Sequence, residues 1–69
     1  MPDPVYKVVE IVGTSETSIS NAIQNAIDKA SQTLRQLGWF EVVQMRGAID
    51  ANKVARYQVT LKIGFTLEA

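Results

Sequence analysis

The segment QLGWFEVVQMRG, residues 36 to 47, carries the side chains best suited to binding a ligand. It contains the only tryptophan of the chain, Trp39, whose flat apolar ring could stack on a heteroaromatic molecule. Arg46 offers a planar fork of donors that suits a phosphate, and Gln58 offers an amide that both donates and accepts. Taken alone, the same residues are also compatible with an interface tryptophan, a surface charge and a solvated amide.

Groups for covalent or acid–base catalysis are scarce. The chain has no histidine and no cysteine, so the usual nucleophile and base pairs and the nitrogen and sulfur metal ligands are missing. Glu10 and Glu41 could meet across strands, but such carboxylates are usually solvated or lie in an interface. The segment GTSETS, residues 13 to 18, lacks the glycine spacing and the lysine of a P-loop and is explained as a helix-capping turn. The sequence therefore predicts a binding protein and not an enzyme.

The length and the charge balance limit the remaining classes. A chain of 69 residues is expected to form one domain, residues 1–69, and without a disulfide so small a core needs support from oligomerisation. The seven basic and seven acidic residues are scattered, which disfavours nucleic acid and anionic membranes as partners. No apolar segment has the length of a signal peptide or a membrane span, so a cytoplasmic location is expected.

Hydrophobic spacing predicts a strand followed by a helix. Residues 5 to 12, VYKVVEIV, are rich in β-branched side chains and are followed by the turn-forming GTS. We expect a helix of about five turns after it, with Thr14 or Ser15 as N-cap, Glu16 in the first turn and Gly38 as the C-terminal stop. The residues that recur at steps of three and four on one helix face are Ile19, Ala22, Ile23, Ala26, Ile27, Ala30, Leu34 and Leu37.

The rest of the chain predicts a β-hairpin. Two strand-like runs, residues 39 to 49 and 54 to 67, are joined by DANK, whose aspartate and asparagine suit a tight turn. In the last run apolar side chains alternate with mostly polar ones, so the odd-numbered face is expected to pack on the helix. These odd-numbered residues are Tyr57, Val59, Leu61, Ile63, Phe65 and Leu67. The expected fold class is α+β with the element order β-α-β-β.

Part of the sheet is expected to remain uncovered. A helix of roughly 30 Å cannot cover hairpin strands that reach roughly 35 to 45 Å. Trp39, Val43 and Met45 have the opposite parity to Phe40 and Val42, so one of the two sets should lie on a face without a helix. An apolar face of this kind requires a partner, and a second copy of the chain is the simplest one.

Several segments together resemble the dodecins. They are YKVVEIVGTS at residues 6 to 15, LGWFEV at 37 to 42, RG at 46 and 47, YQV at 57 to 59, and GF followed by LE at 64 to 68. These segments span nearly the whole chain at matching spacings. The resemblance implies a dodecin-like fold, in which a three-stranded antiparallel sheet is wrapped around one helix, and a hollow shell of twelve copies that binds flavins.

The same resemblance implies a role for each candidate site residue. Trp39 would stack on the isoalloxazine ring, with two flavins held between two symmetry-related tryptophans. Gln58 would hydrogen-bond the pyrimidine edge of the flavin, and Arg46 would lie near the phosphate of FMN. Gln44 would contact the ribityl chain, and Tyr6 would join a neighbouring site at which some bacterial members hold coenzyme A.

One residue departs from the family pattern. Many bacterial members have an arginine after the GF pair, whereas this chain has Thr66, so riboflavin, lumichrome or FAD could bind as well as FMN. The implied function is storage and buffering of flavins and protection against their photochemistry. Three alternatives stay open at this point: a shell without ligand, a protein associated with coenzyme A, and an enzyme that uses the flavin for redox chemistry.

Overall fold

In the computed structural model of the chain, residues 3–67 are described, and they form one helix and three strands. The elements are β1 (Tyr6–Ser15), α1 (Ile19–Ala30), β2 (Leu37–Asp50) and β3 (Lys53–Thr66). The strands make an antiparallel sheet in the order β1-β3-β2, which places the last strand in the centre. The predicted β-α-β-β order and three-stranded antiparallel sheet are confirmed. Within residues 3–67, no helix has the length and apolar character needed to cross a membrane.

The core lies between β3 and α1. Val59, Leu61 and Ile63 are at most 1% exposed, as their alternation with polar residues predicts. They pack against one face of the helix, where the buried residues are all alanines: Ala22, Ala26 and Ala30. Because alanine is small, the helix axis can approach the sheet closely. Partly buried side chains that surround this cluster are Val9, Ile11, Ile19, Ile23, Ile27, Leu34 and Leu37.

Gly13 sets the closest approach between α1 and β1. A Cβ atom at this position would overlap the carbonyl oxygen of Ala22 and would lie 2.8 Å from the Cβ of Ala26. No residue other than glycine therefore fits between the strand and the helix without moving one of them.

The helix begins later than predicted. Thr14 and Ser15 belong to β1 and not to a cap, and the N-cap is Ser18, whose side chain accepts a hydrogen bond of 3.0 Å from the backbone N–H of Asn21. Ser15 is buried, and its hydroxyl oxygen accepts the backbone N–H of Thr17 at 2.9 Å. The serine that was expected to cap the helix thus stabilises the turn leading into it.

The helix also ends earlier than predicted, at Ala30 and not at Gly38. It has 12 residues, so Leu34 and Leu37 lie beyond it, in the loop and at the start of β2. Both leucines still pack against the core, which is why their spacing continues the helical pattern. The chain reverses at Gln36, which has a positive φ of 59°.

The predicted tight turn between the last two strands is confirmed. Ala51 and Asn52 have φ values of 51° and 64°, as a two-residue type I′ hairpin turn requires. Strand β1 pairs with β3 only as far as the Ser15 and Tyr57 pair. Residues 48–56 therefore form a two-stranded ribbon, called here the hairpin ribbon, which extends the molecule to 55 Å in its longest dimension.

Apolar side chains remain exposed on both sides of the sheet. The helix packs mainly on β1 and β3, so β2 lacks cover on its helix side, where Phe40 is 47% and Met45 is 60% exposed. On the opposite side, Val8 and Val12 of β1 are also exposed. The predicted surplus of apolar surface is present, on two faces and not on one.

Candidate functional site

Strand β2 changes its side-chain alternation at Val43. Val42 lies opposite Leu61 and Gln44 lies opposite Thr60, so Val43 has no pairing partner of its own in β3. One extra residue of this kind is a β-bulge, and it moves every following side chain of the strand to the other face.

The bulge decides which side chains share a face with the tryptophan. The side of the sheet that faces away from α1, called here the outer face, carries Trp39 before the bulge and Gln44 and Arg46 after it. Met45 lies opposite Val59, on the helix side. The predicted grouping of Met45 with Trp39 is therefore wrong, because the parity of the strand is reversed between them. The same reversal brings two candidate ligand residues onto the tryptophan's face.

Trp39 lies over the backbone of β3 at Gly64. A Cβ atom on Gly64 would overlap the indole atoms Cε2 and Cζ2 and would lie 2.6 Å from Nε1. The indole remains 42% exposed. Tyr6, from the opposite edge strand β1, meets it across β3 in an edge-to-face arrangement, with ring centroids 6.4 Å apart and an interplanar angle of 62°. The outer face thus has an aromatic pair with an accessible indole.

Arg46 and Gln58 form the polar part of the outer face. They lie opposite each other on β2 and β3, and Nε of Arg46 donates a hydrogen bond of 3.0 Å to Oε1 of Gln58. Because a guanidinium has no acceptor, only the oxygen of the amide can face it. The amide nitrogen of Gln58 is thereby directed elsewhere and is available as a donor. Gln44 lies on the same face, two residues before Arg46.

A single chain does not bring all the predicted site residues together. The β3 partners of Trp39 and Arg46 are residues 64 and 58, which are separated by about 20 Å at about 3.3 Å per residue. Of the predicted site residues, Tyr6 and Trp39 lie at one end of the outer face, Arg46 and Gln58 at the other, and Gln44 between them. A ligand the size of a flavin ring can contact only one of the two ends within one chain.

The two glutamates that were considered as an acid–base pair are kept apart. Glu10 and Glu41 both lie opposite Lys62, which stands between them on the central strand. The hypothesis that they meet across strands is therefore wrong. Among the described residues, no group of three or more acidic side chains could hold a metal ion.

The polar side chains of the segment GTSETS, residues 13 to 18, have structural roles in the turn before α1. Ser15 and Ser18 satisfy backbone N–H groups at the start of the helix, and Asn25 donates to the carbonyl oxygen of Thr14 at 3.0 Å. Glu16, expected in the first helical turn, instead forms an exposed ion pair of 3.0 Å with Arg56 of the hairpin ribbon. An exposed pair of this kind contributes little to stability.

Gly64, which supports the indole, was not among the site residues predicted from the sequence. The available signal was a single glycine inside a run of alternating strand residues, a position where a glycine often marks a close approach. Trp39 and Gly64 are 25 positions apart in sequence and become neighbours only when β2 pairs with β3, so the sequence does not reveal their contact.

The outer face is an open surface and not a cavity. Two of the clefts in the described part of the chain have volumes of about 180 Å³ and about 420 Å³. The smaller is lined by Trp39, Phe40 and Ile63 among others, and the larger lies between β1 and the end of α1. Neither is lined by Arg46 or Gln58, so these two clefts do not enclose the polar end of the outer face.

Comparison with known proteins gives one family. The Dodecin family model matches residues 5–68. The chain is 55% identical over 64 residues to a dodecin of Thermus thermophilus, which covers 93% of each chain, and 30% identical to the calcium dodecin of Mycobacterium tuberculosis over 91% of this chain and 89% of that protein. The structure of a Streptomyces coelicolor dodecin, 52% identical, superposes with a TM-score of 0.94 over 100% of this chain and 99% of the other. The chain belongs to the dodecin family.

Proposed function

We propose that the protein binds flavins (FMN, riboflavin or FAD) on its outer face and stores them in a quenched state, within a shell of twelve chains. The observation that carries this proposal is the indole of Trp39, which rests on Gly64 and is accessible to a stacking ring. An aromatic ring held in this way supports a flat heteroaromatic ligand. The family membership of the chain supports the choice of a flavin among such ligands.

The distance between the two ends of the outer face supports a site shared by two chains. Trp39 and Gln58 are too far apart to hold one flavin ring within a chain. A twofold axis across the outer face would place the Trp39 end of one copy against the Gln58 end of the other. Each ligand would then be stacked by one chain and have its polar edge bound by the partner, and the open face would be covered at the same time.

The hydrogen bond between Arg46 and Gln58 favours a ligand edge that accepts hydrogen bonds. Since Oε1 of Gln58 already faces Arg46, the amide nitrogen is the group presented to a ligand. The isoalloxazine ring has carbonyl oxygens along its pyrimidine edge and fits this donor. The two terminal nitrogens of Arg46 take no part in this contact and can serve a phosphate.

The residues of the site support storage and quenching and not turnover. The chain has no histidine or cysteine that could transfer protons near Trp39. A bound flavin supplies an excitable, redox-active ring. The indole of Trp39 can give an electron to that ring when it is excited and take it back, which restores the ground state without emission or net reaction. This role requires contact with the ring and no substrate site.

Riboflavin fluorescence tests the proposal directly. Adding the protein to dilute riboflavin should lower the emission until the sites are filled, and a protein purified from cells without added flavin should show flavin absorbance. Unchanged riboflavin emission over an intact wild-type oligomer would rule out the flavin assignment. Titration with FMN and FAD under the same conditions measures the preference that Thr66 leaves open.

The oligomer itself is the first prediction. Exposed apolar side chains on both sides of the sheet and the absence of any disulfide predict that the folded chain is stable only in an assembly, of about twelve chains of 7.6 kDa each. Light scattering on the purified protein gives the mass. A folded monomer that persists at micromolar concentration would contradict both the stability argument and the shared site.

Arg46→Ala provides the second prediction. The loss of the guanidinium should weaken FMN binding more than riboflavin binding, by about 1 to 3 kcal/mol, because only FMN has a phosphate to contact. Riboflavin binding should also weaken, but to a smaller extent, since Arg46 no longer fixes the Gln58 amide. Fluorescence titration of both ligands measures the difference. Arg56→Ala, which removes an exposed arginine paired with Glu16, is the matched control. It should change the affinities for FMN and riboflavin by the same amount. An equal loss for both ligands in Arg46→Ala would mean that Arg46 does not contact the phosphate.

A further inference from the structure

Gly64 occupies a position at which the backbone does not require glycine. It lies within the central strand, opposite Val8 on one side and Trp39 on the other. None of the described glycines has a positive φ, so an alanine could adopt the same backbone conformation. A glycine inside a strand lowers stability relative to alanine. The reason for a glycine here must therefore be sought in its neighbours.

The neighbour that requires glycine is the indole. The atoms of Trp39 that a Cβ on Gly64 would meet are Cε2, Cζ2 and Nε1, and Cε2 is bonded to both of the others. The nearest of the three is the fusion atom Cε2, which an approach within the ring plane would meet only after Nε1 and Cζ2, so the face of the indole, and not its edge, lies against Gly64. The opposite face of the ring is then the one turned outward, where a ligand can stack.

We propose that Gly64 is a positioning residue for the stacking site, because its missing side chain lets the indole lie flat on β3 at a fixed height and tilt. This inference rests on the proposed stacking role of Trp39. Tyr6, at 6.4 Å and 62°, limits the movement of the indole at its side, while Gly64 supports it from below. The space left above the ring for a ligand depends on both contacts.

A methyl group at position 64 would displace the ring and not the strand. Non-bonded heavy atoms of this kind require about 3.5 Å or more, whereas the added Cβ would be 2.6 Å from Nε1 and closer still to the two carbons. Strand β3 is hydrogen-bonded on both sides, so its backbone cannot yield easily. The indole would have to rise by about an ångström or rotate away. Either movement alters the stacking surface.

Gly64→Ala tests the inference, with Gly38→Ala as the matched control. A Cβ on Gly38, next to Trp39 in sequence, would make only ordinary contacts of 3.5 Å with the Gly64 carbonyl oxygen and 3.6 Å with Tyr6. We expect Gly64→Ala to weaken riboflavin binding about tenfold or more and to change the near-ultraviolet circular dichroism of the single tryptophan. Gly38→Ala should bind within about twofold of the wild type. Wild-type affinity and an unchanged spectrum in an assembled Gly64→Ala protein would overturn the inference.

A second measurement remains informative if Gly64→Ala assembles poorly. In the Trp39→Ala background the methyl enters space that the indole has left, so adding Gly64→Ala should raise the melting temperature, whereas it should lower it when Trp39 is present. If Gly64→Ala changes the melting temperature in the same direction with and without Trp39, Gly64 does not act through the indole. This measurement needs no ligand. If the wild type fails to quench riboflavin, the proposed function fails, while the change of sign still tests the contact between Gly64 and Trp39.

Discussion

Trp39→Ala should lose flavin binding before it loses the oligomer. Under the proposed function, the substitution removes an aromatic contact worth about 0.5 to 1.5 kcal/mol beyond the area that the ring buries, and it removes the electron donor that would quench emission. The exposed apolar residues on the helix side of β2, Phe40 and Met45, are unaffected and should still hold chains together. Riboflavin titration and size-exclusion chromatography on the same sample measure the two effects.

Trp39→Phe is the informative companion to this variant. A phenyl ring keeps a flat surface at the position but is a much poorer electron donor than an indole. We therefore expect Trp39→Phe to retain part of the affinity, measured by calorimetry, and to lose most of the quenching. Two results together would contradict the stacking role: Trp39→Ala fails to assemble, and the wild-type protein leaves riboflavin emission unchanged. Trp39 would then be an interface residue that binds no ligand.

Gly13→Ala should cause the largest loss of stability among single methyl additions to the glycines of this chain. The new Cβ would overlap the carbonyl oxygen of Ala22, a backbone atom that cannot rotate away, and it would press on Ala26. Helix α1 would have to move off β1 and open the core beneath it. Overpacking of this kind costs about 1 to 3 kcal/mol or more of the free energy of unfolding.

Denaturant unfolding at equal subunit concentration measures this effect, because the stability of an oligomer depends on concentration. Gly38→Ala again serves as the control, since its methyl group would be in ordinary contact distance of its neighbours. If Gly13→Ala and Gly38→Ala unfold at the same denaturant concentration, α1 is not held against β1 as closely as the structure places it.

The central strand could be predicted from the sequence because its environment repeats regularly. Val59, Leu61 and Ile63 alternate with polar residues, and a strand covered on one face by a helix produces that pattern. The turn at Ala51 and Asn52 could also be predicted, since asparagine tolerates the left-handed conformation found there. Both predictions depended on residues that are close together in sequence.

The helix bounds could not be predicted, because burial continues beyond the helix. Leu34 and Leu37 contact the same core as the helical alanines but do so from a loop and a strand. Spacing records which side chains are buried and not which backbone conformation carries them. The predicted cap, Thr14 or Ser15, was wrong for a related reason: several residues that can cap a helix precede it, and only the side chain of Ser18 accepts the N–H that defines the cap.

The composition of the candidate site followed from the sequence only in part. Residue types identified Trp39, Arg46 and Gln58, and the resemblance to a family added Gln44 and Tyr6. The bulge at Val43 places Arg46 on the same face as Trp39. It has no signature in the sequence, because valine is also common in regular strands. The distance between the two ends of the outer face likewise depends on the strand register and not on residue types.

The hairpin ribbon, residues 48–56, has consequences for hydrogen exchange. A ribbon of two strands without a third strand is only marginally stable in water, so its backbone amides in a separated chain should exchange with solvent far faster than those of Val59 or Leu61. Arg46 and Gln58 stand at the base of this fast-exchanging region. Contacts with a neighbouring chain that slow exchange in the ribbon would therefore also order the polar end of the outer face, so that site formation and subunit association become thermodynamically linked.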